Sequence, residues 1–323
     1  MNGKKKGLIT ALILIIAGLL LAGVSLASVG FDFSKLSTTA FVTNTCDVSQ
    51  SFRNIKIIGD TENIEFLPSD DGACRVVCRE REDEPHRVEA ADGTLTVENI
   101  SRNKWHFLDF SFMTEGPSIT LHLPEEAYSA LEIDASTGDV KIPGNFSFDS
   151  VDIRLSTGDA DCRASAAGEL SVRTSTGQIS LSDLTAGTVR LSASTGGIRV
   201  SGVQCAGDMN VSVSTGRTLL ENVKCRNLVS TGSTGGLTLT NVIAGGSFNL
   251  DRSTGDIRFE TCDAAEIKAT TDTGSIKGSL LTDKVFIAHS DTGRVDVPKM
   301  TSGGKCELST DTGSIEITVQ ALP

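Results

Sequence analysis

Apolar and polar residues alternate in short runs along most of this 323-residue chain, and a Thr-Gly pair separates many of the runs. The pair recurs ten times at intervals of 19 or 20 residues, preceded by Ser in seven copies and by Asp in the last three. The glycines of these pairs are Gly138, Gly158, Gly177, Gly196, Gly216, Gly235, Gly255, Gly274, Gly293 and Gly313. A fixed period this short is typical of stacked structural units rather than of one globular core.

The apolar positions are arranged in the same way around most of the turns. Apolar residues stand two and four positions after the glycine, and before the turn they alternate with polar residues, as in Val151 and Ile153. Alternation with period two predicts strands with one buried face, and the glycine supplies the positive φ that a type II turn requires. We therefore predict an all-β fold, a β-solenoid of about ten coils of 19–20 residues whose strands pair with those of the coils above and below.

The N-terminus is the only part of the chain with a helical, membrane-like pattern. Residues 1–6 carry three lysines and are expected to form a cytoplasmic tail, and residues 7–30 are almost entirely apolar. A run of that length can span a bilayer as a helix, which predicts a single-pass signal-anchor in the cytoplasmic membrane with the C-terminal part extracytoplasmic. A cleaved signal peptide is the alternative, because Ser25-Leu26-Ala27 is a small-x-small site.

The segment before the repeats lacks the period but is also rich in strand patterns. We assign residues 31–130 to an N-terminal β cap and residues 131–323 to the solenoid, because a solenoid needs its first coil covered. Stacking in chain order leaves the coil that contains Gly313 bare at the other end of the rod.

The negative net charge of the chain limits the classes of partner that it can bind. The net charge is −12, and only 5% of the residues are aromatic. Such a surface repels nucleic acid, so we expect no nucleic-acid partner.

The order of these elements resembles a known family. The chain contains, in this order, an N-terminal apolar segment, a strand pair at residues 54–68, the sequence Asp92-Gly93-Thr94 before a strand, and Ser-Thr-Gly-Asp turns such as Ser136–Asp139. This order is similar to that of the bacterial putative-adhesin family, domain of unknown function 4097. The resemblance implies a β-strand-repeat protein that faces the cell envelope. It implies no catalytic residues.

Several motifs mimic active sites or metal sites, and each is better explained as structure. Asp272 and Asp311 lie in Asp-Thr-Gly-Ser sequences like those of aspartic proteases, but they occupy turn positions that are Ser in seven other copies. Acids after the turn glycine could bind calcium, but they do not form a continuous ladder; they are Asp139, Asp159 and Asp256.

The cysteines and histidines give no sequence signature of a metal site. No Cys-x-x-Cys pair occurs among the eight cysteines, and Cys74 and Cys78 are too far apart on one strand to form a disulfide. The four histidines show no ligand spacing. We expect no metal, no cofactor and no catalysis.

The sequence thus favours a non-catalytic, membrane-anchored, adhesin-like binding protein of the cell surface, with an envelope protein or a glycan as partner. An accessory protein that senses or regulates envelope stress is the alternative, and a glycan-active β-helix enzyme is a third reading. The candidate interaction residues form an aromatic stretch before the repeats: Trp105, Phe107, Phe110 and Phe112. The partner, the oligomeric state, the redox state of the cysteines and the hand of the solenoid are not determined by the sequence.

Overall fold

The structure is a computed structural model, and it describes residues 3–28, 30, 41–100 and 116–320. The apolar N-terminal run forms helix α1, Gly3–Ser28. The sequence predicts a transmembrane anchor here, at residues 7–30. That prediction is not supported, since no helix in the described part of the chain has the combination of length and hydropathy needed to cross a membrane.

All other regular structure in the described residues is β. Seven strands precede the repeats: β1 Phe41–Val48, β2 Asn54–Gly59, β3 Asn63–Pro68, β4 Cys74–Arg81, β5 His86–Ala91, β6 Thr94–Asn99 and β7 Ser118–Leu123. The first half of the repeats contains β8 Ala127–Thr137, β9 Val140–Ile142, β10 Ser147–Thr157, β11 Ala160–Cys162, β12 Ser165–Thr176, β13 Ile179–Ser182, β14 Thr185–Thr195, β15 Ile198–Ser201, β16 Gln204–Cys205 and β17 Met209–Thr215. The second half contains β18 Thr218–Cys225, β19 Leu228–Thr234, β20 Leu237–Thr254, β21 Ile257–Thr273, β22 Ile276–Leu280, β23 Lys284–Thr292, β24 Val295–Asp296, β25 Gly304–Thr312 and β26 Ile315–Val319.

The predicted β-solenoid is confirmed by the strand register. Strands that precede the Thr-Gly turns pair in parallel from coil to coil, and strands that follow the turns do the same. The threonines of successive turns are direct partners, as in Thr137 with Thr157 and Thr157 with Thr176. The apolar columns face inwards and form one continuous buried cluster from Ile55 to Ile317. Each coil is therefore stabilised by its neighbours, as the repeat predicts.

The turn glycines are required for a different reason from the one that the sequence indicates. Their φ angles run from 122° at Gly138 to 157° at Gly293, far from the roughly 80° of a type II turn. They stack directly on one another, so that a Cβ atom at Gly196 would lie 2.0 Å from the carbonyl oxygen of Gly177. The column leaves no room for any side chain, and the type II prediction is wrong.

Parallel stacking extends into the segment assigned to the cap. β2 and β3 pair in parallel with β8 and β9, and β6 and β7 pair in parallel with β2 and β3. The end of the stack is then closed by antiparallel strands, since β5 pairs with β6, β4 pairs with β7, and β1 pairs with β4. The change from parallel to antiparallel pairing at this point ends the solenoid.

The other end departs from chain order. β25 and β26 pair with β21 and β22 on one side and with β23 and β24 on the other. The final coil is therefore inserted between its two predecessors, and the expectation of a bare final coil is wrong. We call the segment that lies outermost, residues 284–300, the terminal coil.

Two local features explain the inserted coil. Pro298 follows β24 and has no N–H to donate, which suits an edge rather than a strand paired on both sides. Gly303 and Gly304 bring the chain back between the coils, and a Cβ atom at Gly304 would lie 1.8 Å from the carbonyl oxygen of Ala265. Only glycine fits so close to the neighbouring backbone.

Candidate functional site

A buried cluster of ionisable side chains lies where the parallel coils meet the antiparallel cap. Glu62 lies in the turn between β2 and β3, Glu80 lies in β4, and His86 begins β5. The side chains of all three are only 1–2% exposed. Charged groups this deeply buried are uncommon unless they are paired, so the cluster stands apart from the exposed ion pairs along the rod.

The histidine bridges the two carboxylates. Its Nε2 atom lies 3.0 Å from Glu62 Oε1, and its Nδ1 atom lies 2.6 Å from Glu80 Oε2. A doubly protonated imidazole donates to both oxygens in this geometry. The ring is therefore fixed at both nitrogens, one towards the solenoid and the other towards the cap.

The Glu62 carboxylate is held by donors from the turn and from the next coil. Its Oε2 atom accepts hydrogen bonds from the backbone N–H of Asp60 at 2.6 Å and of Thr61 at 2.9 Å. Its Oε1 atom also accepts from Asn99 Nδ2 at 3.3 Å. These contacts orient the oxygen that faces His86.

The Glu80 carboxylate is held in a similar way from the cap. Its Oε2 atom accepts a hydrogen bond from the backbone N–H of His86 at 2.6 Å, and Oε1 accepts one from Asn44 in β1. The cluster thus joins β1, β4, β5 and β6 to the turn between β2 and β3.

The local electrostatics favour the charged forms of Glu62 and His86. Burial by itself acts to raise the pKa of Glu62, but the hydrogen bond and positive charge of His86 and the backbone donors hold that pKa below its usual value. Burial by itself acts to lower the pKa of His86, but the two carboxylates raise it above its usual value. The favoured state is an imidazolium ion between carboxylates.

Cys78 adds a thiol to the same site. It is two residues before Glu80 on β4, so both side chains point to the same face of the strand, and both residues are buried. Burial, and secondarily the charge of Glu80, raises the pKa of the Cys78 thiol to about 12. The possible ligand atoms of Cys78, Glu80 and His86 all lie within 4.8 Å of one another, which is a donor set that could hold a metal ion.

This cluster is not anticipated from the sequence, where His86 has no recognisable ligand spacing. One signal is present: Cys74, Val76, Cys78 and Glu80 alternate as the buried face of β4, and Glu80 places a charge in an otherwise apolar column. Glu62 and His86 carry no comparable signal, because only the fold brings them to β4.

The residues that the sequence singles out lie either outside the described residues or at exposed turns. Trp105, Phe107, Phe110 and Phe112 lie outside the described residues. Asp272 and Asp311 are exposed residues of neighbouring turns, because β21 and β25 pair with Thr273 opposite Thr312.

The acids considered for calcium serve the solenoid itself. Asp139 Oδ1 accepts a hydrogen bond from the backbone N–H of Asp159 at 2.8 Å, and Asp159 Oδ1 accepts one from Gln178 at 2.7 Å. Asp256 does the same for Ser275. Each carboxylate therefore caps the strand of the following coil.

The terminal coil is the second feature with a possible role in binding. In the described part of the chain outside α1, the exposed large apolar residues are Ile58, Ile100, Val285, Ile287, Val295 and Met300. Four of these six belong to the terminal coil, and Ile287 is the most exposed of them at 54%. β23 and β24 each pair on one side only among the described strands, so unpaired backbone groups lie beside these side chains.

Comparison with known proteins finds a matching family model and several similar solved structures. The family model described as Toastrack DUF4097 matches residues 52–216, about half of the chain. A putative adhesin from Bacteroides fragilis is 15% identical, with 87% of this chain and 99% of that chain covered and a TM-score of 0.43. A putative lipid binding protein from Parabacteroides distasonis is 15% identical, with 76% and 98% covered and a TM-score of 0.47. A putative adhesin from the same organism is 12% identical, with 76% and 97% covered and a TM-score of 0.49. No curated protein matches the chain.

Proposed function

The chain belongs to the Toastrack DUF4097 family, and from this premise we propose that it is a non-catalytic, adhesin-like binding protein of the bacterial cell envelope. The observation that carries the proposal is the terminal coil, whose unpaired strand edge and exposed apolar side chains are concentrated at one end of the rod. An open edge of this kind invites pairing with another chain.

The chemistry of the terminal coil favours a protein partner over a glycan. Ile287 and Val285 lie on the same outward face of β23, and Val295 lies on β24. These side chains are aliphatic, whereas sugars are usually bound on aromatic rings. Backbone pairing along β23 with apolar contacts beside it is the mode by which a peptide strand adds to a sheet edge.

The buried cluster does not have the access to substrate that a glycan-cleaving site requires. General acid–base cleavage of a glycosidic bond needs two carboxyl groups on either side of the substrate. Glu62 and Glu80 are only 2% exposed, and both are bound to the same imidazole. A sugar has no access to either carboxylate.

The location in the envelope forms part of the proposal and rests on α1. Nine large apolar side chains are 49–71% exposed on this helix: Leu12, Ile13, Leu14, Ile15, Ile16, Leu19, Leu20, Leu21 and Val24. Such a surface is typical of a segment that associates with lipid or with another protein. We expect the chain to sediment with membranes and to lose this association when residues 1–30 are deleted; recovery of the intact chain in the soluble fraction would refute the location.

The experiment that tests the binding role is a comparison of edge variants. Ile287→Lys places a charge on the outward face of β23, and Ile58→Lys makes the same change at a 39% exposed residue of β2 far from that edge. We expect wild type and Ile58→Lys to retain the same chemically crosslinked envelope protein in intact cells, and Ile287→Lys to lose it.

Stability has to be measured for each variant in the same experiment. Both substitutions are at exposed positions, so we expect melting temperatures close to that of wild type. A partner that Ile287→Lys retains at wild-type yield, or a wild-type chain that captures no envelope protein, would contradict the proposal.

A further inference from the structure

The cap cluster places three different metal ligands on two strands. Cys78 and Glu80 lie in β4 and His86 begins β5, and their possible ligand atoms are within 4.8 Å of one another. We propose that the Cys78 thiolate, the Glu80 carboxylate and the His86 imidazole form a binding site for a zinc ion that joins β4 to β5 in the cap. This inference is independent of the proposed binding function.

The donor set selects the class of metal. A thiolate and an imidazole together favour zinc over calcium or magnesium, which prefer oxygen ligands. With metal–ligand bonds of about 2.0–2.3 Å, ligand atoms around a tetrahedral ion lie about 3.5 Å apart. The ligand atoms lie within 4.8 Å of one another, so no separation has to shrink by more than roughly 1.3 Å, and the 2.6 Å contact between His86 Nδ1 and Glu80 Oε2 has to open by about 0.9 Å.

Charge is conserved when the ion enters. Without metal, the cluster holds two carboxylates, one imidazolium ion and one neutral thiol, with a net charge of −1. Zinc takes the place of the proton on Nδ1 and of the thiol proton, since a coordinated thiol is deprotonated. The net charge after binding is again −1, so the site accepts the ion without an additional buried charge.

Glu62 completes the arrangement from the other side of the ring. Metal-bound histidines usually donate their second ring N–H to a carboxylate, which fixes the orientation of the imidazole. Glu62 Oε1 lies 3.0 Å from Nε2, and the Glu62 carboxylate is itself held by two backbone donors. Glu62 is therefore a positioning residue, and Nδ1 is left for the metal.

The test uses the purified full chain, freed of metal with a chelator and kept reduced. Zinc chloride is titrated by calorimetry, and cobalt(II) is used as a spectroscopic probe, because a thiolate ligand gives a charge-transfer band in the near ultraviolet. We expect one zinc ion per chain and a cobalt–thiolate band.

Variants assign the ligands. Cys78→Ser and His86→Gln should lower zinc affinity by more than about 100-fold, and Glu62→Gln by roughly 10- to 100-fold because it acts through His86. Cys74→Ser is the matched control, since Cys74 is a buried cysteine on the same face of β4 outside the ligand set. Its affinity and cobalt spectrum should equal those of wild type.

Circular dichroism of each variant separates loss of the site from loss of the fold. If Cys78→Ser does not fold, the cobalt spectrum of the wild type alone tests the proposal, because that measurement requires no substitution. A wild-type chain without stoichiometric zinc binding or without the thiolate band would overturn the proposal. Unchanged zinc affinity in folded Cys78→Ser would do the same.

Discussion

At the scale of single residues, the solenoid core contains a buried arginine that its own repeat does not explain. Arg252 is 2% exposed in the core. In the equivalent position of other coils, the hydroxyl groups of Thr271 and Thr174 donate to the carbonyl oxygen of a turn glycine. Arg252 instead donates to Thr218, Ser230 and its neighbour's carbonyl, with no carboxylate among these partners. Burial lowers the pKa of Arg252 to about 10, which corresponds to a cost of about 3 kcal/mol.

The side chain of Arg252 fits only because its partner in the next strand is a glycine. Gly232 is its register partner, and a Cβ atom there would lie 3.1 Å from both Arg252 Cδ and Arg252 Cζ. We expect Gly232→Ala to destabilise the wild type by roughly 1–3 kcal/mol through overpacking. In the Arg252→Thr background, the same change should cost less, and the cost that remains is due to the carbonyl oxygen of Val213, which lies 3.0 Å from the same Cβ atom.

A double-mutant cycle on the free energy of unfolding in denaturant measures this coupling. Additive effects of Gly232→Ala and Arg252→Thr would show that the glycine does not serve the arginine.

The turn glycines provide the second prediction at this scale. Gly196→Ala would place a methyl group 2.0 Å from a backbone oxygen of the coil below at a φ of 133°, and we expect it to lower the free energy of unfolding by at least about 2 kcal/mol. Gly245→Ala is the control, because nothing lies within 4 Å of a Cβ atom there. Its effect should stay within about 0.5 kcal/mol. Equal melting curves for the two variants would be incompatible with a stacked glycine column.

At the scale of elements, the order of the last coils is the feature with the clearest consequence. Lys268 in β21 is a register partner of Glu307 in β25, and Glu307 is a partner of Ile287 in β23. Cα atoms of neighbouring strands are about 4.8 Å apart, and those of strands separated by one coil are about 9.6 Å apart. Only the first distance is within the range of a disulfide.

Engineered cysteine pairs test this order. Lys268→Cys with Glu307→Cys should form a disulfide on mild oxidation, and Lys268→Cys with Ile287→Cys should not, as determined by peptide mapping with mass spectrometry. The reverse result would restore stacking in chain order.

The sequence predicts the elements well where one coil repeats another. Thr-Gly pairs and apolar columns locate the turns and the inward faces, because stacking demands the same residue types at the same positions in each coil. Coil order is different, since any two neighbouring coils present compatible columns to each other. Pro298 and the Gly303-Gly304 pair do distinguish the last coils from the others. The sequence alone does not show which neighbouring backbone the two glycines must approach, and so does not give the coil order.

At the scale of the whole molecule, the rod has two unlike ends. One end is closed by antiparallel strands around the Glu62–His86–Glu80 cluster, and the other presents the terminal coil. The cluster joins residues 24 positions apart through strands that are not adjacent in the sequence, so pattern analysis could detect only Glu80. The exposure of the terminal coil could not be predicted from the sequence, because it depends on the order in which the last coils stack.

The central claim is that the terminal coil binds a protein of the cell envelope, and site-specific photocrosslinking tests it most directly. A photoreactive amino acid is placed at Ile287 in one strain and at Ile58 in another, and intact cells are irradiated. We predict an adduct at Ile287 whose partner is an envelope protein, and no such adduct at Ile58. The absence of an adduct at Ile287, the same adduct at both positions, or an adduct of twice the 33.9 kDa chain mass alone would contradict the claim.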